Sequence, residues 1–367
     1  MRILLLTAHT GGGHNSAAQA VQQELENQGV TCELCDSISF VAEWLSDTFD
    51  VGHSYLYRYL PRLFGVGYRF EERHPPRFLY NLMSFGAKKL AALVNEKQYD
   101  AIISSHIFGN MIVTEARKRY DLTIPHYLIT TDYTCYPGTD MVDVKRYFIS
   151  AEALRSAYEE VGIAPERIVV SGIPIRSSFL ARYNKDEVRS SLGLPAHGRI
   201  VLMFSGSIGC GHLDRVAPSL EEKLPDDAHL VIVCGHNKTA YEQLIARCGK
   251  KTTVVGFTDR IAEYMAAADL CVTKPGGLST TELLAIQLPM VLVLSVPGVE
   301  SRNMEYFEEQ QIAVGTRNWE EAIDQTVCLL QSPAQLQAMQ ERMTQITYPG
   351  GAKIVVQTVL ADLNSVE

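Results

Sequence analysis

Short apolar runs alternate with longer amphipathic ones, and the pattern runs once and then restarts. This rhythm constrains the chain more than any single residue. In the first half "RILLLTA" (2–8), "VTCELCDS" (30–37), "YDAIISSH" (99–106), "IPHYLITTD" (124–132), "RYFIS" (146–150) and "RIVVSG" (167–172) read as buried strands. Between the first two lies "NSAAQAVQQELENQG" (15–29), with Ala17, Ala20, Val21 and Leu25 on one helical face and Gly29 as a C-cap. A helix is also expected at about 151–161. The rhythm restarts at "RIVLMFSGSIG" (199–209) and continues through "HLVIVCG" (229–235), "TTVVGF" (252–257), "ADLCVTKPGG" (268–277) and "LPMVLVLSVPG" (288–298). Strands separated by helices predict parallel, doubly wound sheets, so the expected class is α/β with two Rossmann-like halves. The join falls at "GIPIRSSF" (172–179), which divides the chain into 1–172 and 173–347. The tail 348–367 holds a last amphipathic helix after a Pro-Gly-Gly break. In such sheets ligands bind beyond the carboxyl ends of the strands, here expected to face one crevice between the halves.

At 367 residues the chain is long for one core, and a hydrophobic fraction of 46% excludes wholesale disorder. A net charge of −9 argues against nucleic acid as the default partner. The start "MRILLLTAHT" has too short an apolar run for a secretory signal, and no run of about 18 apolar residues occurs, so no bilayer span is expected. Eight cysteines are scattered singly except for "TCELC", Cys32 and Cys35. That pair lies in a strand-like run and not at a strand-to-helix turn, so two strand-face thiols are a better reading than a redox site. Reduced thiols suit the cytosol.

One segment breaks the rhythm. Residues 53–89 carry seven basic side chains (Arg58, Arg62, Arg69, Arg73, Arg77, Lys88 and Lys89) against Glu71 and Glu72, among dense tyrosine and phenylalanine such as Tyr68. Cations interleaved with aromatics suit the interface of an anionic membrane. The alternatives are a helix pair with core aromatics and solvated arginines, or, less well matched, a nucleic-acid surface.

Three glycine turns carry the candidate chemistry. "TKPGGLSTTE" (273–282) follows one apolar run and opens a helix. Its glycines let the backbone approach a ligand, and the helix-start amides, at the positive end of the dipole, favour a diphosphate. Lys274, Gly276, Gly277, Ser279 and Thr280 are the candidate contacts, the hydroxyls either donating or capping. Glu282, one turn in, is suited to a ribose diol. "FSGSIGCGH" (204–212), with Ser207 and Gly209, suits the other side of the same diphosphate. In "PGVESRN" (297–303) Glu300 and Asn303 could bond sugar hydroxyls, or simply start a helix.

The third turn is "TAHTGGGHNSA" (7–17). A dinucleotide fingerprint wants G-x-G-x-x-G, but here the glycines are contiguous and Ser16 stands three after Gly13, so the fingerprint fails. Asp36 keeps the spacing of a ribose-binding acid, so spacing alone does not dismiss NAD. His14 at a helix start is biased toward the neutral imidazole, which can take a proton from an attacking hydroxyl. Gly12 and Gly13 would let an acceptor come close. Asp132 ends a strand and could orient His14 or the acceptor, and His106 ends another at the same end of the sheet. Each of these could also be a satisfied loop polar group.

At "GGGH" (11–14), "SSH" (104–106), "TTDY" (130–133), "GIPIR" (172–176), "SGSIGCG" (205–211), "GF" (256–257), "KPGGLSTTE" (274–282) and "PGVESRN" (297–303), the chain resembles a known family. It looks like the monogalactosyldiacylglycerol synthases and bacterial processive diacylglycerol glucosyltransferases, relatives of the peptidoglycan lipid II N-acetylglucosaminyltransferase. The resemblance implies a GT-B fold and inverting, metal-independent transfer of a hexose from a UDP-sugar to a diacylglycerol-type lipid. It implies no cofactor, a last helix that crosses back to the first domain, and docking of 53–89 on the inner face of the cell membrane. By the same likeness Phe257 is placed near the uracil, Ser207, Gly276 and Gly277 near the diphosphate, Glu282 at the ribose, and Glu300 and Asn303 at the sugar. The family pattern "PGQE" has Val299 in place of its glutamine here. Tyr136 and Thr139 stand where the family tends to carry a histidine and an aromatic. A UDP-sugar 2-epimerase and a non-catalytic UDP-sugar sensor are the other readings that these residues leave open.

Overall fold

The structure, a computed structural model, describes residues 1–8, 12–41, 76–204, 213–294, 297–346, 348 and 350–365. In chain order the elements are β1 (Arg2–Thr7), α1 (Gly12–Asn27), β2 (Thr31–Asp36), α2 (Arg77–Ser84), α3 (Ala87–Lys97), β3 (Ala101–Ser104), α4 (Ile107–Tyr120), β4 (His126–Ile129), β5 (Arg146–Ile149), α5 (Arg155–Glu160) and β6 (Ile168–Val170). They continue with α6 (Lys185–Ser191), β7 (Arg199–Phe204), α7 (Leu213–Lys223), β8 (Ala228–Val233), α8 (Lys238–Arg247), β9 (Thr252–Val255), α9 (Ile261–Ala267), β10 (Leu270–Thr273) and α10 (Gly277–Ile286). The last are β11 (Met290–Val293), α11 (Val299–Glu309), β12 (Ala313–Thr316), α12 (Trp319–Leu330), α13 (Pro333–Gln345) and α14 (Ala352–Asn364).

The chain divides into two compact units, Met1–Arg176 with Tyr348–Glu367, and Ser177–Thr347. Each contains one parallel sheet. In the first unit the order is β2-β1-β3-β4-β5-β6, and in the second β12-β11-β10-β7-β8-β9. Strand β1 shows why the sheets are parallel and sandwiched. Its residues Ile3 to Leu6 are all buried, alternately toward both faces, which only helices on both sides can satisfy. The order reverses direction beside β1 in the first sheet, between β1 and β3, and beside β7 in the second, between β7 and β10. These are the topological switch points, where doubly wound sheets open a crevice at their carboxyl ends.

Two details differ from the sequence reading. The rhythm stops at β11, yet β12 adds an edge strand; four residues including Gly315 leave no alternation to count. Around 151–161 a 3₁₀ turn, Glu152–Leu154, precedes the short α5 in place of one helix.

Cys32 packs with the cluster on one face of the first sheet and Cys35 with the cluster on the other. Residues three apart on a strand point to opposite faces, so these free thiols cannot pair. Burial, with Glu26 beside it, pushes the Cys32 thiol up to about 11.

Helix α14 closes the first unit. Val355, Val356 and Val359 join Leu5, Val21, Tyr127 and Phe148 in one core. Arg146 grips Asp362 at the helix end through Nε at 3.0 Å and Nη2 at 2.8 Å. Burial pushes the Asp362 carboxyl up, but Arg146 and Lys145 outweigh it and hold it below the usual range. The tail is tied to the 171–173 stretch: Tyr348 donates to the Ile173 carbonyl, and the Gly351 amide to that of Ser171.

Candidate active site

Both switch points carry the residues singled out from the sequence. In the first unit the glycines turn directly into the helix: α1 begins at Gly12, so Gly12, Gly13 and His14 form its first turn. His14 is half-buried above the end of β1. Its Nδ1 lies 3.1 Å from the carbonyl oxygen of Ser105, just past β3, and 2.8 Å from Oγ1 of Thr131, just past β4. Strands β1, β3 and β4 are neighbours, so three consecutive carboxyl ends converge on one imidazole.

His106 caps α4: its Nδ1 accepts from the Phe108 amide at 3.2 Å. Its ring meets that of His14 edge to face, centroids 4.5 Å apart. Helix α4 comes this close to β1 and β3 because residue 109 is glycine; a Cβ there would collide with Ser104 Oγ and the Leu6 side chain. Asp132 is half-buried at the same sheet end, and its carbonyl accepts from Ser150 at 2.6 Å. Its neighbour Thr131, which the sequence reading passed over, is bonded to His14 Nδ1. Asp36, the residue that kept the dinucleotide spacing, caps the 3₁₀ turn after β2 by accepting from the Ile38 amide at 3.1 Å. Two of the three positions that depart from the family pattern are bonded to each other: the buried Thr139 donates through Oγ1 to the Tyr136 carbonyl.

In the second unit the turn after β10 is built from three braces. Lys274 donates from Nζ to Glu300 Oε1 at 2.9 Å, and the Glu300 side chain is 8% exposed. Asn303, fully buried, donates from Nδ2 to the Pro275 carbonyl at 3.0 Å. Thr280 is buried and gives its hydroxyl proton to the carbonyls of Gly276 and Gly277. Of the two uses expected for the Thr280 hydroxyl, ligand contact or cap, the structure shows it bracing the turn from inside the core. Among the described residues no side chain caps the start of α10. Ser279 is half-buried in the first turn and Glu282 buried in the second. Gly298 has a φ of 127°, open only to glycine, and this sharp turn presents Val299, Glu300 and Asn303 on α11.

Gly276 is the most telling residue of this turn. Its φ of −77° is ordinary, and among the described residues a Cβ built there meets nothing within 4 Å. Neither backbone strain nor packing against the described residues requires a glycine. What remains is the room above the backbone, as a phosphate group would use it.

Phe257, past β9, is 66% exposed and stacks on His236, past β8, with centroids 4.2 Å apart at 20°. Sequence reading missed His236; the only signal was a histidine after a strand's last glycine. Ser207, Gly209, Arg58, Arg62, Tyr68 and Arg69 lie outside the described residues.

Comparison with known proteins gives two family matches in tandem. Residues 14–175 match Monogalactosyldiacylglycerol (MGDG) synthase, and residues 200–348 match the Glycosyltransferase family 28 C-terminal domain. The processive diacylglycerol beta-glucosyltransferase of Bacillus cereus strain AH187 is 31% identical over 376 residues, spanning 100% of this chain and 95% of that protein. Among solved structures, MurG of Acinetobacter baumannii superposes with a TM-score of 0.64 at 16% identity, covering 98% of this chain and 99% of that one. Anabaena HepE in complex with UDP gives 0.59 at 15% identity over 100% of both chains. Both structural likenesses speak for the GT-B fold.

Proposed function

Because this chain belongs to the diacylglycerol glycosyltransferase family, we propose that it transfers a hexose from a UDP-sugar to the hydroxyl of a diacylglycerol-type lipid, with inversion and without metal, at the cytoplasmic face of a membrane. The open backbone at Gly276 carries the donor half of this reading. A diphosphate seated there would receive the amides that start α10 and the positive end of its dipole. Lys274 and Glu300, held as a pair, flank the same turn and suit the sugar end. The exposed Phe257 ring suits the base.

His14 would serve as base. The lipid hydroxyl loses its proton to the imidazole, its oxygen bonds to the anomeric carbon, and the bond to the diphosphate breaks with its electron pair leaving on UDP. Helix-start amides stabilise that leaving charge. Removing the base should cost roughly 10²–10⁴ in rate. The test is His14→Ala, with UDP binding measured alongside. Near-native turnover with unchanged UDP binding would remove His14 from this role. The donor and acceptor are read by offering purified protein a panel of UDP-sugars with and without diacylglycerol and weighing the products. UDP release that needs no lipid would count against the lipid acceptor.

The membrane partner is supported by α2 and its end. Phe78 and Phe85, two helical turns apart, are 82% and 76% exposed, with Arg77, Lys88 and Lys89 exposed around them. Among the described residues no helix is long and apolar enough to cross a bilayer. Phenylalanines would enter the interface while the cations meet anionic headgroups. Flotation with anionic and neutral vesicles at two ionic strengths tests this; binding indifferent to both lipid charge and salt would reject it.

A further inference from the structure

A histidine base works only if its proton sits on the far nitrogen, and in this fold the atoms that decide this belong to Ser105 and Thr131. The Ser105 carbonyl, 3.1 Å from His14 Nδ1, can only accept. That contact is a hydrogen bond only when Nδ1 carries the proton; with a bare Nδ1 two lone pairs would face each other. The Thr131 hydroxyl, 2.8 Å from the same nitrogen, is then its second acceptor. The neutral ring has one proton, so its basic lone pair is on Nε2.

We propose that Thr131 is a positioning residue: with the Ser105 carbonyl it holds His14 as the Nδ1–H tautomer and so assigns proton abstraction to Nε2. This rests on the reading of His14 as base. Thr131 is buried, and it stands two strands away from β1, its hydroxyl reaching His14 past the end of β3. The two partners hold the ring by a bifurcated bond that defines its orientation as well as its tautomer. Both partners are neutral. When Nε2 takes the lipid's proton, the ring becomes cationic and the Nδ1–H bonds to Thr131 and Ser105 strengthen. Thr131 thereby stabilises the protonated ring more than the neutral one and raises the proton affinity of the base. The attack itself balances as above: proton to Nε2, new bond from the lipid oxygen to the anomeric carbon, electron pair to UDP.

The test uses the full chain with Thr131→Val, which keeps the shape and loses the hydroxyl, and Thr131→Ser, which keeps the hydroxyl. Thr131→Val should lower kcat about 10- to 100-fold, the range for losing a hydrogen bond to a charged group. The KM for the sugar donor should stay, the acid limb of the kcat profile should move to lower pH, and Thr131→Ser should restore most of the rate. Selective ¹⁵N-histidine labelling, with His14→Ala to assign the signal, should show the proton of His14 on Nδ1. A Thr131→Val enzyme with native kcat and an unmoved pH profile overturns the proposal. So does a ¹⁵N spectrum that puts the proton on Nε2. A His14→Ala enzyme that keeps its turnover instead removes the base reading underneath, whereas an inactive His14→Ala beside a native Thr131→Val removes only the role of Thr131.

Discussion

Replacing His126 with leucine should flatten the acid side of the stability profile. His126 opens β4 and is fully buried, and burial, aided by the Arg117 guanidinium, pushes its pKa down to about 3. Neither ring nitrogen has a hydrogen-bond partner among the described residues. In the unfolded chain the ring titrates near its ordinary value of about 6.5. Between those two values the unfolded chain binds a proton that the folded chain refuses. The stability from this group is thus complete above about pH 6.5 and drains as the pH falls toward 3. At about pH 5 the loss amounts to roughly 1.5 pK units, or about 2 kcal/mol. For a unit of this size that is a midpoint shift of about 4–8 °C. Leucine has no proton to bind, so between about pH 7.5 and pH 5 the variant should lose that much less than the parent. Scanning calorimetry of both full-length chains across this range gives the comparison. Parallel pH curves would refute the claim that the ring stays neutral in the fold. Because the two proteins differ only at this ring, the titration of carboxylates elsewhere cancels.

Three further outcomes are expected. Gly276→Ala should leave the unfolding free energy within about 0.5 kcal/mol of native, since its Cβ meets none of the described residues within 4 Å, yet weaken UDP binding about tenfold by titration calorimetry; unchanged UDP affinity would take the phosphate away from this turn. Lys274→Met removes the 2.9 Å bond from Nζ to the buried Glu300 carboxylate and should cost about 1.5–3 kcal/mol in the second unit, with a raised donor KM; a native midpoint and KM would count against the pair. Arg146→Met removes both guanidinium bonds to Asp362 and leaves it to Lys145 and Tyr127, so the first unit should lose about 1–3 kcal/mol in denaturant melts; an unmoved melt would show that the apolar face of α14 holds it without Arg146.

Much of the architecture was legible because strands and helices write themselves locally. Ile3 to Leu6 announce a strand buried on both faces, and Ala17, Ala20, Val21 and Leu25 recur at the helical period and are all buried. Strand β12 escaped because four residues with a glycine carry no period. The glycine turns were visible as glycines, but their purposes were not. Gly276 and Gly298 look alike in sequence; one has an ordinary backbone with room among the described residues for a Cβ, and the other a φ that no other residue tolerates. The Thr280 hydroxyl could donate to a ligand or cap in the sequence, and only the fold shows it buried and bonded to the Gly276 and Gly277 carbonyls.

By itself the sequence determined two parallel α/β halves, the helix starts that follow β1 and β10, and the acid and basic side chains standing near them, because each of these is a matter of neighbours along the chain. Tertiary structure alone decided which of those ends meet. The order β2-β1-β3-β4 is set by which apolar faces are buried together, and it brings Ser105 and Thr131, 91 and 117 residues away, onto one nitrogen of His14. The tautomer proposed for that ring rests on the three-dimensional neighbourhood, since Nδ1 is bonded to the carbonyl it faces only when it carries the proton.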